Sequence, residues 1–111
     1  KRQNLSAALY DFTVALTYDN TVPEIYIEKG KLHMACKEDD KAFREFNKAV
    51  WYSHSTNPEA LRLRGIAYSK QGHIFQAYED LQKALQLGDE HANYVLQSYP
   101  FSDLRSRNNL F

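Results

Sequence analysis

A triplet of apolar residues recurs along the chain at a nearly constant interval. Each copy has a small, a large and a small residue at helical spacing, and the copies are Ala8-Phe12-Ala15, Ala42-Phe46-Ala49 and Ala77-Leu81-Ala84. The first two copies are 34 residues apart (8 to 42) and the next two are 35 apart (42 to 77). A fixed period of this length is typical of repeat architectures, in which each unit buries its apolar face only by stacking on its neighbours. We therefore expect a stack of similar units.

A second set of markers keeps the same interval and indicates where helices begin. The dipeptide Pro-Glu occurs at 23–24 and again at 58–59. Proline is favoured in the first turn of a helix, and a threonine three residues before a glutamate fits a capping box. Thr21 meets that spacing for the first of these helices. For the second, either Thr56 or the adjacent Asn57 can be the cap.

The segment after each of these helices carries apolar residues at helical spacing. The two stripes are Ala42, Phe43, Phe46, Ala49, Val50 and Ile74, Ala77, Tyr78, Leu81, Ala84, Leu85. Recurrence at three and four residues is the period of an amphipathic α-helix, and no segment shows the sustained alternation of a half-buried strand. The sequence therefore predicts an all-α fold in which each unit is a pair of helices.

The markers of each pair resemble those of the tetratricopeptide repeat, a helix-turn-helix unit of 34 residues. They are Tyr26, Gly30, His33, Ala42, Phe46 and Ala49 in one unit, and Leu61, Gly65, Tyr68, Ala77, Leu81 and Ala84 in the next. The resemblance covers about residues 5–87 and implies antiparallel hairpins stacked in a right-handed superhelix. The chain departs from the family at Lys29 and Arg64, where leucine is usual, and at His33, where tyrosine is usual.

On this interpretation the chain is one domain, 1–111, with five parts. These are a second helix without its first at 5–17, complete units at 23–54 (unit one) and 58–88 (unit two), a capping helix at 89–99 and a tail at 100–111.

In the tail, Phe101 and Leu104 are three residues apart, so one helical turn would place both on one face. We expect them to dock near Val95 or Leu96, and Phe111 is a further candidate for docking in a groove.

The resemblance also implies a binding groove along the first helix of each unit. The family's groove positions are occupied in unit one by Glu24, Ile27, Lys31, Met34 and Ala35, and in unit two by Glu59, Arg62, Ile66, Ser69 and Lys70. A solvated helix face without a ligand is the alternative. Ile27, Met34 and Ile66 favour a groove, because apolar side chains among exposed charges mark interaction sites. We therefore expect a scaffold that binds a protein or peptide.

Self-association is an alternative of a different kind. The first helix carries an apolar stripe at helical spacing, made of Leu5, Leu9, Phe12 and Leu16. In a complete repeat, part of this stripe would pack on an upstream helix. We therefore expect this surface to be covered by another chain or by a preceding segment, and a homo-oligomer formed through the N-terminal helix is one such arrangement.

Charge and composition argue against other classes of partner. Lysine plus arginine number 14, as do aspartate plus glutamate, so the net charge is zero. Nucleic-acid-binding domains usually carry a basic excess, and membrane spans need about 18 consecutive apolar residues. We expect neither nucleic acid nor direct membrane insertion. The compartment stays open, with a lean towards the cytoplasm.

Few residues could carry chemistry. His33 and Cys36 are three apart on one helix, whereas a zinc site needs three or four converging ligands. We therefore expect no catalytic residue, no metal and no cofactor.

Trp51, with Tyr18 and Tyr52, lies near the end of a second helix. These aromatic residues either line the junctions between hairpins or, for Trp51, contact a ligand, because tryptophan is enriched at binding hot spots.

Overall fold

The computed structural model is a helical repeat solenoid. It describes residues 2–98 and 100–104, with side chains from residue 6 onward. The helices are α1 (Arg2–Tyr18), α2 (Pro23–Ala35), α3 (Asp39–Tyr52), α4 (Pro58–Lys70), α5 (Ile74–Gln86) and α6 (Glu90–Leu96). Residues 101–104 add one helical turn, and no strand occurs among the residues described. The all-α prediction is confirmed, and none of the helices described has both the length and the apolar composition needed to cross a membrane.

The first helix of each unit begins at its proline, and the cap agrees with the prediction at α4 but not at α2. At α4 the cap is Asn57, whose side-chain oxygen accepts a hydrogen bond from the amide of Ala60 at 3.0 Å. At α2 the residue in the cap position is Val22, with no side-chain cap. The capping prediction for Thr21 was wrong, because its amide and hydroxyl both donate to Asp19, at 2.9 and 2.6 Å.

Within each unit the two helices approach closely at a glycine. A Cβ atom on Gly30 would lie 2.5 Å from Cε1 of Phe46. On Gly65 it would lie 3.0 Å from Cγ of Leu81 and 3.1 Å from the carbonyl oxygen of Ala77. The two helices therefore cross closely in both units. In unit one the nearest group to the glycine is the Phe46 ring.

One apolar core runs through all the units. Its largest fully buried side chains are Ile27, Phe46, Leu61, Leu81 and Leu96. Burying a side chain of this size stabilises the folded state by about 1.5–3 kcal/mol relative to leaving it exposed. Because the buried residues of both units belong to a single cluster, the hairpins are stacked and are not independent of one another.

The two ends of the chain extend this core. At the C-terminal end Phe101 is only 3% exposed and belongs to the same cluster as Leu96, so the predicted docking of the tail is confirmed for this residue. Leu104 is half-buried. At the N-terminal end Leu16 of α1 packs against the core. The prediction for Phe111 falls outside the residues described.

Candidate protein-binding surfaces

Most of the predicted groove residues lie at the surface, on α2 and α4. Glu24, Lys31 and Lys70 are exposed, as is Ala35. Those that are partly exposed are Met34, Glu59, Arg62, Ile66 and Ser69. We call the side of the molecule formed by α2, α4 and α6 the first-helix face.

Ile27 is the exception among the groove residues. It is 1% exposed and is one of the largest fully buried side chains of the core. Arg62 occupies the same position in unit two and keeps part of its side chain at the surface. The difference follows from the side chains, because a branched apolar group gains from burial whereas a guanidinium must stay hydrated or paired. The expectation that Ile27 lines the groove is therefore corrected.

A row of ion pairs crosses the first-helix face from one unit to the next. Lys31 Nζ lies 3.1 Å from Glu28 and 2.9 Å from Glu59, which joins α2 to α4. Arg62 Nε donates to Asp89 at 2.9 Å, which joins α4 to the start of α6. The hydrogen bond to Glu59 is the main cause of the raised pKa of Lys31. We call these five residues the ion-pair row.

The first-helix face carries more acid than base. Its carboxylates are Glu24, Glu28, Glu59, Asp89 and Glu90, against the three cations Lys31, Arg62 and Lys70. A cavity of about 500 Å³ lies between α4 and the start of α6. Its walls include Pro58, Arg62 and His91 together with three of these carboxylates. This arrangement can accept a cationic or hydrogen-bond-donating group from a partner.

Two further ion pairs explain why the chain departs from the family's leucines. Arg64 donates to both oxygens of Asp80, at 2.7 and 2.8 Å, and this pairing is the main cause of its raised pKa. At the same position in unit one, Lys29 lies 3.5 Å from Glu45. Both acids are buried on the second helix, so each cation joins the two helices of its own hairpin. These residues hold the fold and do not belong to the first-helix face.

His33 and Cys36, the residues considered as possible metal ligands, have surroundings in which they can serve a structural role. His33 is buried, and its Nδ1 lies 3.0 Å from Glu38, at the turn into α3. This hydrogen bond is the main cause of the lowered pKa of Glu38. Cys36 is exposed. Within residues 2–98 and 100–104, no group of three His, Cys, Asp or Glu side chains is placed to hold a metal ion.

Residues 58–91 match the family model described as Tetratricopeptide repeat, a span that covers α4, α5 and the start of α6. The chain contains a tetratricopeptide repeat. No curated protein matches the sequence of the chain. Tetratricopeptide repeats generally mediate protein–protein interaction, and the family is typically a non-catalytic scaffold. The resemblance seen in the sequence is therefore confirmed by unit two, and protein partners are the class of ligand that it indicates.

The outer surface of this repeat array holds a second candidate region that the groove positions did not predict. Two cavities of about 400 and 390 Å³ lie along α3, and Lys48 lines both. Trp51 lines the larger one and is 75% exposed. Sequence reasoning singled out Trp51 but not the cations around it. Comparing the exposed positions of α3 with those of α5 would have found them, because the two helices share one register.

Proposed function

We propose that this chain is a protein-interaction module whose first-helix face binds a segment of another protein. The observation that carries the proposal is a match to the tetratricopeptide repeat together with nine of the ten predicted groove residues exposed or partly exposed. They are Glu24, Lys31, Met34, Ala35, Glu59, Arg62, Ile66, Ser69 and Lys70. The ion-pair row holds several of these side chains in place before a ligand arrives, which lowers the entropy lost on binding.

The charges of the face favour a partner segment that carries lysine or arginine. Glu24 and Glu90 are exposed and form no ion pair with any residue that the structure describes. A partner cation can pair with either carboxylate without breaking a contact inside the chain. Met34 and Ile66 are partly exposed and offer apolar contact between the charges. The preferred segment therefore combines basic and apolar residues.

Charge reversal at the two unpaired carboxylates tests this proposal. The purified chain is used to capture a partner, and the bound segment is then titrated calorimetrically. Glu24→Lys with Glu90→Lys should weaken binding by about tenfold, because each reversal replaces a surface attraction worth up to about 1 kcal/mol with a repulsion. Neither carboxylate is paired, but both lie in the first turn of a helix, so the double variant should lose up to about 2 kcal/mol of stability, and its melting temperature is measured to verify that it is folded during the titration.

Glu79→Lys on α5 is the matched control for this experiment. Glu79 is exposed and lies away from the first-helix face, so this single reversal should leave the affinity unchanged. An equal loss of affinity in the control would show a general effect of net charge. Unchanged binding in the double variant would place the ligand elsewhere and refute the first-helix face as the site.

Self-association through α1 is a second candidate function. Tyr10 and Tyr18 are 70% and 87% exposed, and Leu9, Phe12 and Leu16 are only partly buried. The side chain of Leu5, the fourth member of the predicted stripe, is not among those described. If α1 pairs with a second copy, sedimentation equilibrium will show a mass that rises with concentration, and replacing Tyr10 and Tyr18 by serine will reduce it. A mass that stays monomeric at every concentration would exclude this candidate.

A further inference from the structure

The outer faces of α3 and α5 have the same register but different side chains. Unit one has Lys41, Arg44, Lys48 and Trp51 at positions where unit two, 35 residues later (41 to 76), has Gln76, Glu79, Lys83 and Gln86. All eight side chains are exposed. Because unit two folds into the same hairpin with polar or acidic residues at three of these positions, the hairpin does not need the cations and the tryptophan. We call the four residues of unit one the α3 surface.

Two cavities give the α3 surface its shape. The first, about 400 Å³, has Tyr26, Tyr52 and Trp51 among its walls, with Asn47 and Arg64 on the side of unit two. Tyr26 and Tyr52 are stacked, with ring centroids 5.3 Å apart. The second, about 390 Å³, lies towards α1 and is lined by four cations, by Leu9 and His33, and by Glu45, which is paired with one of the cations, Lys29. Since Lys48 belongs to both, the cavities adjoin along α3.

The α3 surface carries positive charge that the chain itself does not neutralise. The neighbouring cations Lys29 and Arg64 are bound to Glu45 and Asp80, and Lys41 lies 3.2 Å from Glu38. Arg44 and Lys48 form no ion pair with any residue that the structure describes. Lys48 Nζ instead lies 5.8 Å from the centre of the Tyr26 ring.

We propose that the α3 surface is a second docking site, which binds an acidic peptide segment carrying an aromatic residue. Two carboxylates of the segment pair with Arg44 and Lys48. The aromatic residue enters the larger cavity and stacks against Trp51, at the edge of the Tyr26 and Tyr52 pair. This site is separate from the first-helix face, whose charge is acidic, so one chain can hold two different partner segments.

Charge complementarity favours an acidic peptide over the other possible occupants. A nucleic acid offers a continuous row of phosphates, and its binding is driven by many cations that displace counterions. Here only two cations are unpaired, which matches a short acidic segment. The acidic first-helix face of a second copy is the other candidate. Its carboxylates Glu59 and Asp89 are already bound within the ion-pair row, and the unpaired Glu24 and Glu90 lie on two different helices, α2 and α6, instead of side by side as in one acidic segment.

Trp51 makes the site directly measurable, because it is the only tryptophan of the chain. The probe is a synthetic peptide with one phenylalanine flanked by four glutamates on each side, titrated while Trp51 fluorescence is recorded. We expect a saturable change in emission, and a dissociation constant that rises about tenfold in Arg44→Glu with Lys48→Glu. Because only two exposed ion pairs form, the salt dependence of the dissociation constant should be shallow.

Lys83→Glu is the matched control, because Lys83 occupies the position of Lys48 on the next second helix and lies outside the α3 surface. It should leave the dissociation constant unchanged. A peptide with lysines in place of the glutamates should not bind, and one with alanine in place of phenylalanine should bind more weakly. With a fluorescein-labelled probe, Trp51→Gln should also bind more weakly, with an unchanged melting temperature.

Three outcomes would overturn the proposal. The first is no saturable binding, or equal binding by the wild type and the Arg44→Glu, Lys48→Glu variant. The second is that labelled single-stranded DNA binds more tightly than the acidic peptide, with a steep salt dependence. The third is a mass in sedimentation equilibrium that rises with concentration in the wild type but not in Trp51→Gln, which would assign the surface to a second copy of the chain.

Discussion

At the scale of single residues, the equivalent pairs Lys29–Glu45 and Arg64–Asp80 differ in how well they satisfy a buried carboxylate. The fork of Arg64 reaches both oxygens of Asp80. Lysine places one point charge 3.5 Å from Oε2 of Glu45, and Oε1 of Glu45 is buried with no hydrogen-bond partner among the residues that the structure describes. A buried acceptor without a donor costs about 1–3 kcal/mol of folding free energy. The same position thus stabilises unit two more than unit one.

Replacing Lys29 by arginine should therefore stabilise the protein. The guanidinium can donate to both oxygens of Glu45, and the adjoining cavity gives the longer side chain room. We expect the free energy of unfolding, measured by urea titration, to rise by about 0.5–1.5 kcal/mol. Arg64→Lys is the reciprocal control and should lower it by about 1–3 kcal/mol. A loss of stability in Lys29→Arg would mean that steric strain outweighs the added hydrogen bond.

The sequence located these positions but could not reveal their role. Lys29 and Arg64 stood out as charges where the repeat pattern has leucine, yet their partners lie 16 residues away on another helix (29 to 45 and 64 to 80). Pairing across that distance depends on how the hairpin closes. Thr21 failed as a cap for a similar reason, because a nearby carboxylate competed for its hydroxyl. The spacing of residues in the sequence indicates which hydrogen bonds and ion pairs are possible. Which of them form depends on the packing of the helices.

At the scale of helices, the two first helices end with the same turn but with different residues in it. In unit two, Gly72 has a φ of 86° and donates to Ser69, and His73 donates to Tyr68. In unit one the corresponding turn places Lys37 at a φ of 61°. A residue with a Cβ atom pays about 1–2 kcal/mol for this left-handed conformation, which glycine adopts freely.

Lys37→Gly should consequently stabilise unit one. Part of the gain is lost because glycine is also freer in the unfolded chain, so we expect the free energy of unfolding to rise by about 0.5–1 kcal/mol. Lys37→Ala removes the charge while keeping the Cβ atom and should bring no gain. Gly72→Lys should destabilise unit two by a similar amount. If Lys37→Ala stabilises as much as Lys37→Gly, the charge and not the backbone explains the effect.

Helix number, pairing and close crossings were predictable from the repeat, because they depend on spacing within one unit. The groove was predictable only in part. Ile27 and Arg62 share a position, and their opposite burial follows from side-chain chemistry and from the neighbours of each unit. Of the α3 surface only Trp51 was singled out from the sequence, because exposed cations at helical spacing on one helix look like an ordinary solvated face. Its cavities exist only once α1, α2, α3 and α4 are packed.

At the scale of the whole molecule, the ion-pair row links successive units across their surface, together with the hydrogen bond from Arg64 to Asn47. Lys31 joins unit one to unit two, and Arg62 joins unit two to α6. These contacts depend on the angle between neighbouring hairpins, which no spacing within a unit encodes. The ion-pair row therefore contributes both to the stacking of the units and to the charge pattern of the first-helix face. Deprotonating a cation of the row should alter the stability of the stack and the binding of a partner.

The raised pKa of Lys31 gives this link a defined pH range. A lysine whose pKa is higher in the folded state stabilises the protein fully below its unfolded value of about 10.4, and this contribution is lost as the pH rises through the folded value. Lys31→Met lacks it. The difference in free energy of unfolding between wild type and Lys31→Met should thus be constant from about pH 8 to 10 and shrink above that.

The size of this difference is limited by solvent. The Lys31 side chain is 42% exposed, so its pairs are screened and we expect no more than about 1 kcal/mol at pH 8. Lys83→Met is the control for the loss of a lysine side chain, because Lys83 is exposed and forms no ion pair with any described residue, and the Lys31→Met difference is compared with it at each pH. A pH-independent difference for Lys31→Met would mean that the Lys31 contacts do not contribute to the stacking of the units, and partner binding at the first-helix face would then be independent of them.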